Sequence, residues 1–269
     1  MKKSLIITLI TILLAVNVKA GWIITQQIYD SDEGIEHAIT KTIYLHNNVM
    51  KVVLKDISTI FDLNKETITI INQQQKIFWQ GKVDTYKEEI KAEILQKMDK
   101  QLEKASEEQK EMIHKMYQNM IESIDDPAKF IGEEPDEYEI EIRKTTNKKQ
   151  LVGLLAEKYN VIVNGKLKEE VWLSEQNNTC NDFNIYRFYK IFGDFINQSE
   201  NDVYYHNNEK YIEFAHKGFP LESVNYFGGY ETINKVIELK QQVISEGDFS
   251  IPEDYKKVKL IQLELTPIE

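Results

Sequence analysis

The chain has 269 residues, of which 42% are hydrophobic, and it contains 11 glycines, 5 prolines and a single cysteine. This length suits one large domain or two small ones, and one cysteine excludes an intramolecular disulfide. The net charge is −11, and no basic patch interleaved with aromatic residues offsets it, so we predict no nucleic-acid partner.

The first twenty residues have the layout of a secretory signal peptide. A short basic start, Lys2 and Lys3, precedes an apolar run over residues 5–16, and small residues lie just before a cleavage site between Ala20 and Gly21. An uncleaved membrane anchor needs about 20 apolar residues, and polar side chains close this run earlier. We therefore predict an exported protein, periplasmic or otherwise secreted, whose mature chain begins at Gly21.

Alternating apolar and polar side chains predict successive strands from Trp22 to Trp79. Within this stretch, residues 67–71 and 76–79 are predicted to form a hairpin. Short connections of this kind favour an antiparallel meander.

The period then changes to that of a helix. Thr85 with Glu88, and Ser106 with Gln109, have the spacing of a capping box. Apolar residues recur about every four positions after each of them, and the opposite faces are heavily charged. We therefore predict a helical insertion of two amphipathic helices. They are residues 86–104 and 107–124, within an insertion at about 86–124.

Four of the six methionines lie in this helical pair, and three of them are spaced four residues apart. Methionine is flexible and polarizable, so such a stripe suits an irregular or changing apolar surface. Two interpretations stay open, which are ordinary core contact with the sheet and a lid that faces a ligand. The second makes these methionines, with two aromatic residues of the preceding strand, candidates for ligand binding. The candidates are Met98, Met112, Met116, Met120, Trp79 and Phe78.

The second half of the chain mixes strands with shorter helices. Asn164-Gly165 is typical of a type I′ turn and predicts a hairpin around it. Gly218 is well placed to end a short helix. The predicted elements are strands 138–144, 159–163, 167–173, 221–227 and 231–245, helices 183–196 and 210–217, and an extended segment 249–255. No linker or internal repeat divides them, so we predict one domain over residues 21–269.

Several short motifs follow one another in a fixed order along the chain. They are FDLNKETITIIN at 61–72 with KIFW at 76–79, SEEQKEM at 106–112, GFPL at 218–221 and FSIPEDYK at 249–256. Their order resembles that of exported bacterial proteins in the LolA/LolB-like superfamily, in a poorly characterised branch with a helical insertion. The chain departs from this pattern at Lys51, where the carriers use an arginine, and at Asp254, where the branch usually has glycine.

The resemblance implies an α+β fold in which a curved antiparallel β-sheet forms an open half-barrel and amphipathic helices cover its concave face. In the carrier proteins of this superfamily, acyl chains are held between sheet and helices. We therefore expect an exported envelope protein that binds or carries a lipid, a lipoprotein acyl chain or another apolar ligand. The alternative is a non-enzymatic structural or protein-interaction module of the cell envelope, with an envelope protein as partner.

The sequence carries no recognised pattern for catalysis, metal binding or cofactor binding. The five histidines lack metal-ligand spacing, and the acidic stretch at residues 30–34 fits a turn better than a calcium loop. Cys180 has no partner that the sequence can assign for nucleophilic catalysis. We expect no cofactor, no metal and no enzymatic activity. A hydrolase whose residues converge only in space is a third alternative.

Overall fold

The computed structural model describes residues 20–125, 139–176, 179–199 and 204–263. Residues 1–19 of the predicted leader, which spans 1–20, and the first residue of the predicted strand 138–144 lie outside the described residues. Within these ranges, no helix combines the length and the apolar character needed to cross a membrane.

The described residues form a single sheet of twelve strands. The strands are β1 (Ala20–Asp30), β2 (Ile39–His46), β3 (Val49–Leu54), β4 (Ile57–Asp62), β5 (Thr67–Asn72), β6 (Ile77–Gly81), β7 (Ile140–Leu151), β8 (Leu154–Val163), β9 (Lys166–Leu173), β10 (Glu222–Phe227), β11 (Tyr230–Val243) and β12 (Lys256–Lys257). Their order across the sheet is β12-β6-β5-β4-β3-β2-β1-β11-β10-β9-β8-β7. The sheet is open and curved and does not close into a barrel.

Four α-helices accompany the sheet in the described ranges. They are α1 (Val83–Leu102), α2 (Glu107–Asp125), α3 (Ile185–Ser199) and α4 (Glu209–Ala215). The predicted α+β class, with an open curved sheet and helices packed on it, is confirmed. One detail of the prediction is wrong, because the sheet is mixed: β12 runs parallel to β6, whereas all other neighbouring strands are antiparallel.

The sequence located the start of α2 more accurately than the start of α1. The predicted capping box at Thr85 is wrong, because α1 already begins at Val83 and its N-cap, Lys82, makes no side-chain cap hydrogen bond. Val83 packs against the larger of two hydrophobic clusters under the sheet, so tertiary packing extends the helix beyond its local signal. At the start of α2, the Ser106 N–H donates to Gln109 Oε1 at 3.1 Å, which is one half of the predicted capping box.

Strand register places one row of side chains along the inner face of the sheet. From β1 to β6 the residues directly opposite one another are Ile24, Ile43, Val52, Thr59, Ile70 and Trp79. Aromatic residues of α1 and α3, including Tyr86, Phe188 and Phe192, pack on this face. We call this cluster the main core.

A second core lies under the other half of the sheet. It is built from alternate residues of β8 and β9, such as Tyr159, Val161 and Val171, and from Tyr211 and Phe214 of α4. The Asn164-Gly165 turn joins these two strands, and both of its residues have positive φ, 50° and 74°, which confirms the predicted hairpin.

The end of the described chain forms a C-terminal strap, residues 244–263, which crosses the outer face of the sheet. Phe249 stacks on His46 of β2 with 6.5 Å between ring centroids, and Lys51 Nζ of β3 donates to the Asp248 carbonyl at 2.8 Å. The strap then adds β12 beside β6 and ends in a 3-10 helix, Leu260–Leu263, whose two leucines are buried in the main core. The strap therefore joins the two faces around the β6 edge.

Candidate functional site

A cavity of about 180 Å³ lies where the main core and the second core meet. We call it the seam cavity. The strands β2, β3 and β9 contribute to it, as do α3, α4 and the segments that precede α3 and follow α4. Its lining residues are Leu45, Met50, Leu173, Thr179, Phe183, Ile185, Phe188, Tyr189, Tyr211, Phe214, Ala215, Gly218, Phe219 and Pro220. None of these side chains carries a charge at neutral pH, so the cavity suits an apolar group.

The wall formed by α3 follows from the sequence of that helix. Its apolar residues recur at helical spacing, and Phe188 and Phe192 are turned into the main core. Asn184 caps the helix, since its Oδ1 accepts from the Arg187 N–H at 2.9 Å. The Asn184 N–H in turn donates to Asn48 Oδ1 at 2.9 Å. The turn between β2 and β3 therefore fixes where the wall begins.

The opposite wall is α4 and the turn that follows it. The Asn208 side chain caps this helix by accepting from the Lys210 N–H at 3.0 Å. Gly218, with φ near 152°, lies in a region that favours glycine and redirects the chain. Phe219 and Pro220 thereby return to line the cavity.

Burial separates the floor of the seam cavity from its mouth. Most of the strand and ring residues that line it are buried. Six lining residues are only half-buried, and one of them is Met50 on β3. The other five come from α3, the end of α4 and the turn after it, and they form the mouth. These residues are Ile185, Tyr189, Ala215, Phe219 and Pro220.

A buried polar cluster lies beside the cavity wall. Glu169 of β9 is buried, its Oε2 accepts from the Tyr211 hydroxyl at 3.0 Å, and His206 Nε2 lies 3.5 Å from the same oxygen. The His206 ring stacks on the Tyr211 ring with 4.0 Å between centroids. Burial, followed by the Glu169 charge, raises the pKa of Tyr211 well above its ordinary value. The cluster therefore anchors α4 to the sheet at Tyr211, which is also a lining residue of the cavity.

This cluster predicts a specific loss of stability at alkaline pH. Below about pH 10 Tyr211 is protonated in both the folded and the unfolded protein, so its contribution to the free energy of unfolding is fully present. Above about pH 10 Tyr211 ionises in the unfolded protein, whereas the buried side chain of the folded protein keeps its proton, so this contribution is lost. Between pH 8.5 and 11, the wild type should lose about 1.4 kcal/mol more of its free energy of unfolding than Tyr211→Phe. Urea unfolding at both pH values measures this difference. Tyr230→Phe, at an exposed position, is the matched control and should behave as the wild type.

The residues predicted to bind a ligand lie away from the seam cavity. Met112, Met116 and Met120 are 74%, 45% and 41% exposed, on an α2 that packs along α1. Met98 is half-buried on α1, and Phe78 is half-buried on β6. None of them, nor Trp79, lines the seam cavity. The interpretation of the methionine stripe as ordinary core contact with the sheet is wrong, because the Met112, Met116 and Met120 side chains are exposed.

Trp79 instead belongs to the packing between sheet and helices. Its Nε1 donates to Glu89 Oε1 of α1 at 3.0 Å, and its ring meets the Tyr86 ring at 5.7 Å between centroids. Tyr86 also meets Phe195 of α3 at 4.7 Å. Aromatic packing therefore fills the space between β6, α1 and α3 at this point.

Two sequence features contribute to the seam cavity, although neither by itself predicts a site. They are the aromatic residues at helical spacing over residues 183–196, which predict a helix, and GFPL at 218–221. Only the packing of two separate cores brings Phe188 and Phe219 to one cavity.

In the described parts of the chain, no three His, Cys, Asp or Glu side chains come together in a group that could hold a metal ion. The acidic stretch at residues 30–34 forms the predicted turn, with Gly34 at φ 82°. Cys180 lies in a 3-10 helix, Thr179–Asn181, next to the lining residue Thr179.

The fold and the cavity define a class of α+β protein with an open twelve-stranded sheet and an apolar cavity under its helices. No protein-family model matches the chain, and no curated protein matches it. Among solved structures, PNGF-II is similar over 91% of this chain and 32% of its own, with 8% identity and a TM-score of 0.37. The complex of Pseudomonas aeruginosa MucA/MucB is similar over 90% of this chain and 59% of the matched chain, with 9% identity and a TM-score of 0.38.

A structure of MucB gives a similar result, with 10% identity and a TM-score of 0.34 over 89% of this chain. The chain spans about a third of the length of PNGF-II and about three fifths of the MucB chain. At these TM-scores the shared geometry is partial, and no statement about function follows from it.

Proposed function

We propose that this protein is an exported, non-enzymatic envelope protein that binds an apolar ligand in the seam cavity. The observation that carries the proposal is an open cavity between two cores, lined by fourteen residues of which none is charged. Lipids and other largely apolar ligands suit such a lining, because binding removes their apolar surface from water. The signal-peptide pattern of the first twenty residues supports export, and the LolA/LolB-like motifs support a place in the envelope.

The volume of the cavity limits how much of a ligand is enclosed. Pockets for drug-sized ligands have volumes of roughly 300–1,000 Å³. The seam cavity, at about 180 Å³, is smaller than that range. We therefore propose that one end of the ligand enters the cavity through the mouth while the remainder stays outside.

A substitution at the mouth tests the proposed site. Ala215→Leu adds three carbon atoms at a half-buried lining position, and we expect it to weaken the binding of an apolar probe roughly 10- to 50-fold by occupying its volume. Ala92→Leu, at an exposed position of α1, is the matched control and should bind as the wild type.

Native mass spectrometry and solvent extraction of the purified protein detect any apolar molecule that is already bound. NMR titration then measures how tightly the protein binds toluene, methylcyclohexane and decanoic acid. A protein that is always empty and binds none of these probes contradicts the proposal.

A non-enzymatic interaction module is a second candidate function, and the filled space around Tyr86 favours it. If α1 is fixed on the sheet by Trp79 and Phe195, its amides should exchange hydrogen about as slowly as those of β5. Hydrogen exchange followed by mass spectrometry measures this protection. Much faster exchange across α1 and α2 than across β5 would instead indicate a lid that opens.

A further inference from the structure

We propose that the group held in the seam cavity is a single uncharged aromatic ring. This inference rests on the proposed function and names the chemical class of the ligand. It differs from the expectation of a straight acyl chain, which the resemblance to lipid carriers implies. The ring can belong to a small molecule or to an aromatic residue of a polypeptide, and the experiment separates these sources.

The first support is size. An apolar cavity of about 150 Å³ lined by aliphatic and aromatic side chains stays dry and holds one benzene molecule. The seam cavity has about 180 Å³, which is enough for one ring with a small substituent. A long acyl chain would leave most of its methylene groups outside.

The second support is the chemistry of the lining, in which six of the fourteen residues are aromatic. These six are Phe183, Phe188, Tyr189, Tyr211, Phe214 and Phe219. Met50 adds a thioether, and sulfur makes favourable contacts with aromatic rings. The Tyr211 hydroxyl is already bonded to Glu169, so Tyr211 offers its ring rather than its polar end.

The third support is the geometry of the wall rings. Phe188 meets Phe183 at 5.2 Å and 61°, and it meets Phe61 at 5.3 Å and 88° between ring planes. Aromatic rings prefer such edge-to-face arrangements, because the positive edge of one ring meets the negative face of another. A ligand ring can extend this arrangement, whereas a saturated group of the same size gains only the removal of its surface from water. Each edge-to-face ring pair with the ligand should make an aromatic ligand bind roughly two- to twelvefold more tightly than a saturated ligand of the same size.

The test compares two probes of nearly equal size, toluene and methylcyclohexane, on the purified full-length protein. We expect toluene to bind at least about twofold more tightly in NMR titrations. Phe219→Leu, a change at the half-buried mouth that keeps an apolar side chain, should reduce this preference towards parity. Met112→Leu, on exposed α2, is the control and should keep the preference of the wild type.

The outcomes separate the inference from the proposed function. If methylcyclohexane or decanoic acid binds as tightly as toluene or more tightly, the inference is overturned, but the proposed function of binding an apolar ligand stands. If no probe binds, both the inference and the proposed function are overturned. A preference for toluene that Phe219→Leu does not change also counts against the inference, because the ring at the mouth would then make no contact with the ligand ring. Titrations with indole and with a capped phenylalanine peptide show which source of the ring binds more tightly.

Discussion

Replacing Trp79 by alanine is expected to destabilise the protein by about 3–5 kcal/mol, the range measured for large aromatic residues removed from a core. Trp79 is 1% exposed and lies at the end of the row of inner-face residues that starts at Ile24. Its loss leaves a cavity beneath α1 and removes the hydrogen bond to Glu89. Chemical denaturation of the wild type and the variant measures the change in the free energy of unfolding.

Two further variants separate the contributions of Trp79. Trp79→Phe keeps a ring but leaves the Glu89 Oε1 without its donor, so we expect a smaller loss than for alanine. Met112→Ala, at a 74% exposed position, should change the free energy of unfolding by no more than about 0.5 kcal/mol. A loss below about 1 kcal/mol for Trp79→Ala would contradict a structural role for this side chain.

The second large effect is expected at the end of the C-terminal strap. Leu263 is fully buried in the main core, so Leu263→Ala should cost about 2–5 kcal/mol. Ile261, two residues earlier in the same 3-10 helix, is 43% exposed, and Ile261→Ala is the matched control with a change near 0.5 kcal/mol or less.

The same denaturation experiment decides whether the strap is part of the folded core. Equal losses for the two variants would indicate that the strap does not pack as described. The strap is also held by polar contacts, since the Leu260 N–H donates to Glu89 Oε2 at 2.8 Å. Glu89 therefore bonds to both β6 and the strap, and both variants should leave its contact with Trp79 intact.

The sequence predicted the local elements well, because their signals are local. Period-two alternation located the strands up to Trp79, and Asn164-Gly165 located a hairpin whose turn needs positive φ at both positions. Helical spacing located α1, α2 and α3 to within a few residues. Boundaries were less accurate where packing decides them, as at Val83.

The candidate site could not be predicted in the same way. Helical spacing correctly placed Met112, Met116 and Met120 on one face, but spacing does not say what covers that face. The seam cavity depends on how far two cores approach each other, and its walls come from β2 and from α4, about 170 residues further along the chain. Pairing of β12 with β6 is equally non-local, and a two-residue strand has no pattern of its own.

The C-terminal strap has a consequence for the order of folding during synthesis. Gly21 pairs with Gln242, and the Asn72 side-chain amide donates to the Leu263 carbonyl at 3.4 Å across 191 residues of sequence. The native core is therefore completed only after residue 263 has left the ribosome, and such distant contacts form slowly. A nascent chain of this topology stays unfolded for longer than one with local contacts. That delay suits a protein proposed to pass through a membrane before it folds.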